Sequence, residues 1–283
     1  MTVLVTGATG RIGSRLVPRL LQHDERVRIF VRNPARAEPL AELGAEVVAG
    51  DVGEELDLRK ALSDADAVIH LAAAFRGVPD DEAVAVNERA TVTLGRAAVE
   101  AGVGRFVFAS TNLVYGPGRG RPAREDDGPA PNGAYGVYPA TKVSAEQALH
   151  ELHRTSGLDL RVLRLAFVYG DGDPHLGEAL RWARGWPPHK RLHFVHHADV
   201  AQAFVRALRA DGLSGGTFNV ADDAPVTTVE VLELNGEPMP ADAYSRELDD
   251  PWEGIVDTKR ARAELGVRPI YPSIYVARDA GAL

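Results

Sequence analysis

Short apolar runs alternate with stretches of helical periodicity along most of the chain, the pattern of a parallel sheet whose strands are covered on both faces by crossover helices. Val3-Leu4-Val5 predicts the first strand, and Ile12, Leu16, Val17, Leu20 and Leu21 fall on one stripe of the helix that follows. Val27–Val31, Glu46–Ala49, Ala67–Leu71 and Arg105–Ala109 predict further strands, each followed by a polar turn and a helical stretch. Arg161–Leu165 gives a sixth strand and Thr217–Val220 a seventh. Parallel neighbours need crossover connections, and right-handed crossovers leave a ligand crevice at the carboxyl ends of the strands. The expected fold class is α/β, a doubly wound parallel sheet with a small C-terminal substrate lobe.

Two kinds of segment break the rhythm. Gly116 to Gly133, rich in Gly, Pro and charge, predicts a loop. Gly170 to about Leu192, and again about Ala221 to Trp252, are irregular and proline-rich, and are expected to build the lobe. The division is then residues 1–169, with the strand and helix around 195–221, for the sheet domain, and 170–194 with 222–283 for the lobe. Thr227-Thr228-Val229-Glu230 is a capping box that opens a helix, and Asp257 is placed to cap another through Leu265, with Gly266 as its left-handed stop. Composition excludes more than it selects. A chain of 283 residues with 45% hydrophobic and 25% charged residues is ordinary globular protein. Its net charge of −8 argues against nucleic-acid partners, which need clustered cations. Cysteine is absent, which removes disulfides, thiolate metal sites and cysteine catalysis. No apolar run reaches membrane-spanning length and no leader pattern precedes the first strand, so no membrane partner and a cytoplasmic location are expected.

Thr6-Gly7-Ala8-Thr9-Gly10-Arg11-Ile12-Gly13 lies between the first strand and its helix. Gly7 suits a tight turn, Gly10 a close approach of a pyrophosphate and Gly13 close helix–sheet packing, which is the dinucleotide fingerprint of the Rossmann fold. The second strand ends Phe30-Val31-Arg32-Asn33, with no carboxylate to hold the ribose hydroxyls of NAD(H). Arg32 can instead pair with a 2′-phosphate, which favours NADP(H). The alternative is a solvated arginine. Asp51, with Val52 after the third strand, is placed to meet the adenine, or is simply a turn aspartate.

Tyr138-Pro139-Ala140-Thr141-Lys142 puts a phenol and an ammonium one helical turn apart on one face. Tyrosine ordinarily titrates near pH 10. A lysine cation and the positive nicotinamide favour the phenolate, which makes the pair a competent acid and base at a carbon exchanging hydride. Tyr135 cannot form such a pair, because Pro139 stands four positions after it.

These motifs, with His70-Leu71-Ala72-Ala73, Asn87, Ala109–Gly116, Arg164–Gly170, His196–Asp199 and Phe218-Asn219-Val220, resemble in order the extended short-chain dehydrogenase/reductases. That family holds nucleotide-sugar epimerases, dehydratases and ketoreductases. The resemblance implies Thr111 as the hydroxyl that binds the substrate oxygen beside Tyr138, with Lys142 also holding ribose. It implies cofactor contacts from Gly7, Thr9, Gly10, Arg11, Ile12, Gly13, Leu71, Ala72, Ala73 and Asn87, and a homodimer through residues 83–101 and 138–155. Thr111 also has a plainer reading, as a strand-end threonine bonded to backbone.

Departures from the family narrow the reaction. Sugar dehydratases carry an Asp-Glu pair where this chain has Asn112 and Leu113, so elimination is not expected. The double epimerase-reductases need a cysteine. Phe167 replaces a sugar-contacting Asn, and Leu192 stands where a diphosphate-binding Arg is common, with Arg191 adjacent. A smaller, more apolar carbonyl or secondary alcohol is therefore the expected substrate, and the rivals are a sugar epimerase with tightly held NAD and a non-catalytic dinucleotide sensor. His189, His193, His196 and His197 lack acidic partners at ligand spacing, so no metal is expected, and His196 with Asp199 is assigned to ordering a helix start. Trp182 and Trp186 flank the lobe. The charged run Arg119–Asp127 reads as a solvated loop, with a lid over the cofactor mouth as the alternative.

Overall fold

In the computed structural model, which describes residues 1–75 and 77–283, the chain enters on β1 (Thr2–Thr6), every residue of which is buried. It continues through α1 (Gly13–Gln22), β2 (Arg26–Val31), α2 (Glu38–Glu42), β3 (Glu46–Ala49), α3 (Glu55–Leu62) and β4 (Ala67–His70). Next come α4 (Asp80–Val84), α5 (Ala90–Glu100), β5 (Arg105–Thr111), α6 (Tyr138–Ser156) and β6 (Leu160–Leu165). Beyond them lie β7 (Phe167–Tyr169), α7 (His175–Ala183), β8 (Arg191–Leu192), β9 (Phe194–His196), α8 (His197–Arg209) and β10 (Gly216–Val220). The chain closes with β11 (Val226–Thr227), α9 (Thr228–Leu234), α10 (Lys259–Ala263) and α11 (Ile274–Asp279).

Seven parallel strands form one sheet in the order β10-β6-β5-β4-β1-β2-β3. Successive strand residues point to opposite faces, and both faces are covered. Val3, Val5, Ile29 and Val107 pack against Leu16 and Leu20 of α1 and Phe204 and Leu208 of α8. Leu4, Phe30, Val68, Phe106 and Phe108 pack on the other side against Leu58 of α3, Leu94 of α5 and Leu149 of α6. The chain runs one way along the sheet from β1 to β3 and the other way from β4, so a crevice opens at the carboxyl ends of β1 and β4. A third apolar cluster holds the lobe, where Tyr169, Leu176, Phe194, Val226, Val231 and Ile274 meet. Two short ribbons, β7 with β9 and β8 with β11, frame it. Among the described residues no helix is long and apolar enough to cross a membrane.

Three expectations are corrected. Gly170–Leu192 is not irregular throughout, because α7 occupies its middle and buries Leu176, Ala179 and Ala183, while Asp173 accepts a hydrogen bond from the His175 amide (2.9 Å). The helix after Asp257 is a short one, Lys259–Ala263, that stops before Leu265; Asp257 accepts from the Lys259 amide (2.9 Å), and Gly266 does adopt a left-handed φ of +67°. The run Arg119–Asp127 is not a solvated loop. Arg119 donates to the carbonyls of Tyr115 and Gly128, Arg121 grips Asp127, and Ala123 exchanges hydrogen bonds with Ile255 (2.9 Å) and Asp257 (2.8 Å).

Helix α6 is fastened to the sheet by charge. Glu146 accepts two hydrogen bonds from Nε (3.1 and 3.2 Å) and one from Nη2 (2.6 Å) of Arg164 on β6, with both side chains buried. Arg164 also donates to the Tyr115 hydroxyl (2.8 Å), which in turn donates to Asn219 on β10 (2.8 Å). Removing one member leaves a buried charge unpaired, so Arg164→Met is expected to cost about 3–5 kcal/mol of stability. The double variant with Glu146→Leu should recover part of that loss, as read from urea unfolding midpoints.

Candidate active site

The turn between β1 and α1 is built by sterics that only glycine meets. Gly7 has φ +68°, and a Cβ on it would sit 2.6 Å from the Ala72 amide nitrogen. A Cβ on Gly13 would lie 2.3 Å from the Gly7 carbonyl oxygen and 2.5 Å from the Ala8 Cα, so the first helical turn rests directly on the loop. This cradle fits a pyrophosphate at a helix N-terminus. Beneath it, buried His70 bonds Thr6 (2.6 Å) and Thr91 (2.8 Å), joining the ends of β1 and β4 to α5. Burial pushes the His70 imidazole down to about 3, with Lys142 contributing, so the ring is neutral. Arg11 reaches across from the loop to Asp173 (2.9 Å) and Glu178 (2.9 Å) on the lobe side.

Gly7, Gly10, Arg11, Ile12, Gly13, Leu71, Ala73, Thr111, Tyr138 and Lys142 line one continuous cleft of about 380 Å³. Six of the expected residues lie off its walls. Ala72 backs Gly7, and Thr9 is half-buried beside the turn. Arg32 stands exposed just past β2, pairing with no carboxylate among the described residues, while Asp51 accepts from the Gly53 amide (2.8 Å) and Val52 packs at the edge of the core. Asn87 is fully buried in a π-helical turn, Ala85–Arg89, between α4 and α5. It accepts from the Ala74 amide (2.7 Å) and donates to the Ala74 carbonyl (2.8 Å) and the Thr141 hydroxyl (3.1 Å). It therefore ties the segment after β4 to the turn that carries Lys142.

Tyr138 is the first residue of α6, where the missing N–H of Pro139 costs no helical hydrogen bond. Its ring meets that of Phe75 at 4.4 Å. One turn on, Lys142 is 2% exposed, donates to the Ala109 carbonyl (2.7 Å) and lies over the Phe108 ring (4.3 Å). Burial lowers the ammonium to about 7, against a smaller opposing pull from Glu146. Thr111, the last residue of β5, accepts from the Leu113 amide (3.3 Å), which leaves its own proton to donate. Asn112 donates to the Gly254 carbonyl (2.7 Å), and Leu113 lines the cleft. Neither side chain can carry a proton for an elimination.

The far end of the cleft belongs to the lobe. Phe167, His175, Trp182, Trp186, Lys190 and Glu253 line it, together with Arg191, Leu192 and His193. Lys190 pairs with Glu253, and Arg191 donates to the Pro251 carbonyl (2.9 Å) over the Trp252 ring (4.5 Å). The histidine run disperses. His193 donates to the Asp222 carbonyl (3.0 Å) and accepts from the Val256 amide (3.2 Å), His196 accepts from the Ala198 amide (3.1 Å) as the cap of α8, and His197 meets Asp173 (2.8 Å). Asp199 accepts instead from the Ile270 and Tyr271 amides, holding the C-terminal segment. Among the described residues no three His, Cys, Asp or Glu side chains gather as a metal site would need. Phe75, His175 and the Lys190–Glu253 pair escaped the sequence reading, since only the fold brings residues 63 positions apart into contact, while Tyr135, set aside there as a partner for lysine, lines the cleft.

Comparison with known proteins agrees with this geometry. The model of the NAD dependent epimerase/dehydratase family matches residues 3–184. A UDP-glucose 4-epimerase from Halalkalibacterium halodurans is 29% identical, over 97% of this chain and 92% of its own. A 4-hydroxy-2-methyl-3-oxo-4-farnesyl-3,4-dihydroquinoline-1-oxide ketoreductase from Stigmatella aurantiaca is 30% identical, over 93% of this chain and 84% of its own. The solved structure of MoeE5 in complex with UDP-glucuronic acid and NAD superposes with a TM-score of 0.79 at 27% identity, covering 99% of this chain and all of that one.

The buried bases set the pH dependence of the apo protein. Burial lowers His70 to about 3 and His193 and His197 to about 4, so below pH 6.5 the unfolded chain binds protons that the folded chain refuses. Stability is therefore expected to fall as pH drops from 6.5 towards 4, the three histidines outweighing Asp222, whose carboxyl burial raises to about 8 and which acts in the opposite direction. The same sign holds for Lys142 between about 7 and 10.5, where stability rises with pH. Urea midpoints of Lys142→Met should lose the alkaline rise and keep the acid fall.

Proposed function

Because the chain belongs to the NAD dependent epimerase/dehydratase family and is an enzyme of the extended short-chain dehydrogenase/reductase type, we propose that it transfers hydride between NADP(H) and a small carbonyl or secondary-alcohol substrate. The observation that carries this reading is the convergence of Thr111, Tyr138 and Lys142 on the cleft that the glycine turn opens. Thr111 donates to the substrate oxygen and orients the reacting carbon. Tyr138 gives that oxygen a proton in reduction and takes it back in oxidation. Lys142, its charge desolvated, favours the phenolate and holds ribose hydroxyls. The dinucleotide, when bound, supplies or accepts the hydride. Gly7, Gly10 and Gly13 give its pyrophosphate room, and Arg32, paired with no carboxylate among the described residues, is the residue assigned to a 2′-phosphate.

A second reading is a sugar epimerase that retains NAD, and the names of the similar proteins favour it. The site itself weighs towards net reduction of a smaller substrate. Phe167 and Leu192 place apolar surface where sugar enzymes of the family carry polar contacts, and Arg191 is engaged with Pro251 and Trp252. Calorimetry on cofactor-stripped protein separates the two. NADPH is expected to bind at least about tenfold (~1.4 kcal/mol) tighter than NADH, with Arg32→Ala abolishing the difference. NADH binding as well as NADPH, or NAD that cannot be stripped, would move the epimerase reading ahead. Tyr138→Phe is expected to lower hydride transfer by about 10²–10⁴-fold without changing NADPH affinity.

A further inference from the structure

Aromatic side chains make up 6% of the chain, yet Phe75, Tyr135, Tyr138, Phe167, Trp182 and Trp186 all line the same cleft. Phe167 is the best placed of them. Thr111 on β5 is paired in register with Leu165 on β6, so Phe167 leaves the sheet two residues beyond the partner of the catalytic threonine. Its ring lies nearly parallel to the His175 imidazole, 4.1 Å away and tilted by 11°, and Phe194 abuts it edge-on at 5.2 Å. Packing from two sides fixes the ring before any ligand arrives, and a fixed flat surface binds another flat surface at little entropic cost. Trp182 and Trp186, from α7 and the turn after it, add aromatic surface to the same end of the cleft.

The charges at this end argue the same way. A diphosphate needs cations that are free to meet it. Here Lys190 is neutralised by Glu253, while Arg191 is turned onto the Pro251 carbonyl and the Trp252 ring. The Lys190–Glu253 pair keeps donor capacity on the ammonium and acceptor capacity on the carboxylate with no net charge, which suits an uncharged hydroxyl. Leu192 and Phe167 offer the several hydroxyls of a sugar no partner.

We propose that the lobe end of the cleft is an aryl-binding site, and that the substrate is an aryl ketone or aryl carbinol with a polar ring substituent directed to Lys190 and Glu253. The inference names the substrate class for the hydride transfer proposed above and rests on that reading for the chemistry, but its test does not. Binding is measured by calorimetry on the Tyr138→Phe protein loaded with whichever of NADPH and NADH it binds tighter, so affinity is read without turnover. 4-Hydroxyacetophenone is expected to bind at least about tenfold tighter than cyclohexyl methyl ketone, with UDP-glucose weaker than either. Phe167→Asn and, independently, Trp182→Ala should each remove most of that preference while NADPH affinity stays constant. Equal affinity for the two ketones, tighter binding of UDP-glucose, or an unchanged preference in a folded Trp182→Ala variant would overturn the proposal. If the aryl preference holds while the wild type transfers no hydride to any aryl ketone, the aryl site stands and the proposed reaction falls.

Discussion

Helix α6 carries both members of the candidate acid–base pair, and beyond its apolar packing its register on the sheet is set by polar and charged groups that water does not reach. Lys142 donates to a β5 carbonyl, Glu146 meets Arg164 of β6, and Thr141 is bonded by Asn87 from the π-helical turn before α5. Buried charges of this kind contribute little net stability, but they tolerate only one geometry, because any slip strands a charge in apolar surroundings. The helix is thereby fixed in register against two strands, and Tyr138 at its first position is fixed at the cleft mouth. The same desolvation that makes the arrangement specific also brings Lys142 down to about 7. Structural constraint and chemical tuning at this site are one effect.

The lobe is tied to this frame at many points, some on α1 and α8, and several of the ties touch the cleft or the strand ends behind it. Arg11 links the glycine turn to Asp173, Asn112 links the end of β5 to Gly254, and Asn219 on β10 donates to the carbonyls of Ala123 and Asp257. Arg164 and Tyr115 connect the last of these ties to α6. Residues 250–257 therefore run along the cleft as a strap anchored to elements of the candidate site and of the sheet together. A change in the lobe can alter what the cleft accepts without disturbing Tyr138 or Lys142, which is how one sheet supports many substrates.

Much of this was legible in the sequence, for physical reasons that particular residues show. Strands buried on both faces read as continuous apolar runs, so β1, β2, β4 to β6 and β10 were each located to within two residues, and the half-buried edge strand β3 was located by its Val47-Val48 pair. Gly7 and Gly13 were legible because their roles are steric and local. The Tyr138–Lys142 spacing was legible because helical geometry converts four residues into one turn. Helix α7 was hidden because its amphipathic stretch is short, His175–Ala183, contains Gly177 and stands between Pro174 and the Pro187–Pro188 pair, so the breakers around it read as irregular chain. The charged run before Asp127 misled for another reason, since arginine composition says nothing about backbone carbonyls waiting nearby to accept. Contacts such as Lys190 with Glu253 carry no local signature at all.

The substitutions that set this chain apart from sugar enzymes of its family act together. At residue 112 an amide does not titrate, so its bond to the Gly254 carbonyl holds the lobe strap at any pH, whereas a carboxylate there would repel that carbonyl until protonated. Leu113 beside it adds apolar wall, and Phe167 and Leu192 extend that wall into the lobe. What is lost is proton-transfer capacity next to Thr111 and hydrogen-bonding capacity opposite it. Among the polar groups that remain at this end, Thr111, Tyr138 and Lys142 are the ones the proposed reading uses to polarise one oxygen and move one proton. In the proposed reading, the site has become simpler than that of a dehydratase by exchanging acids for structure, and hydride transfer is the part of the family's chemistry that such a site retains.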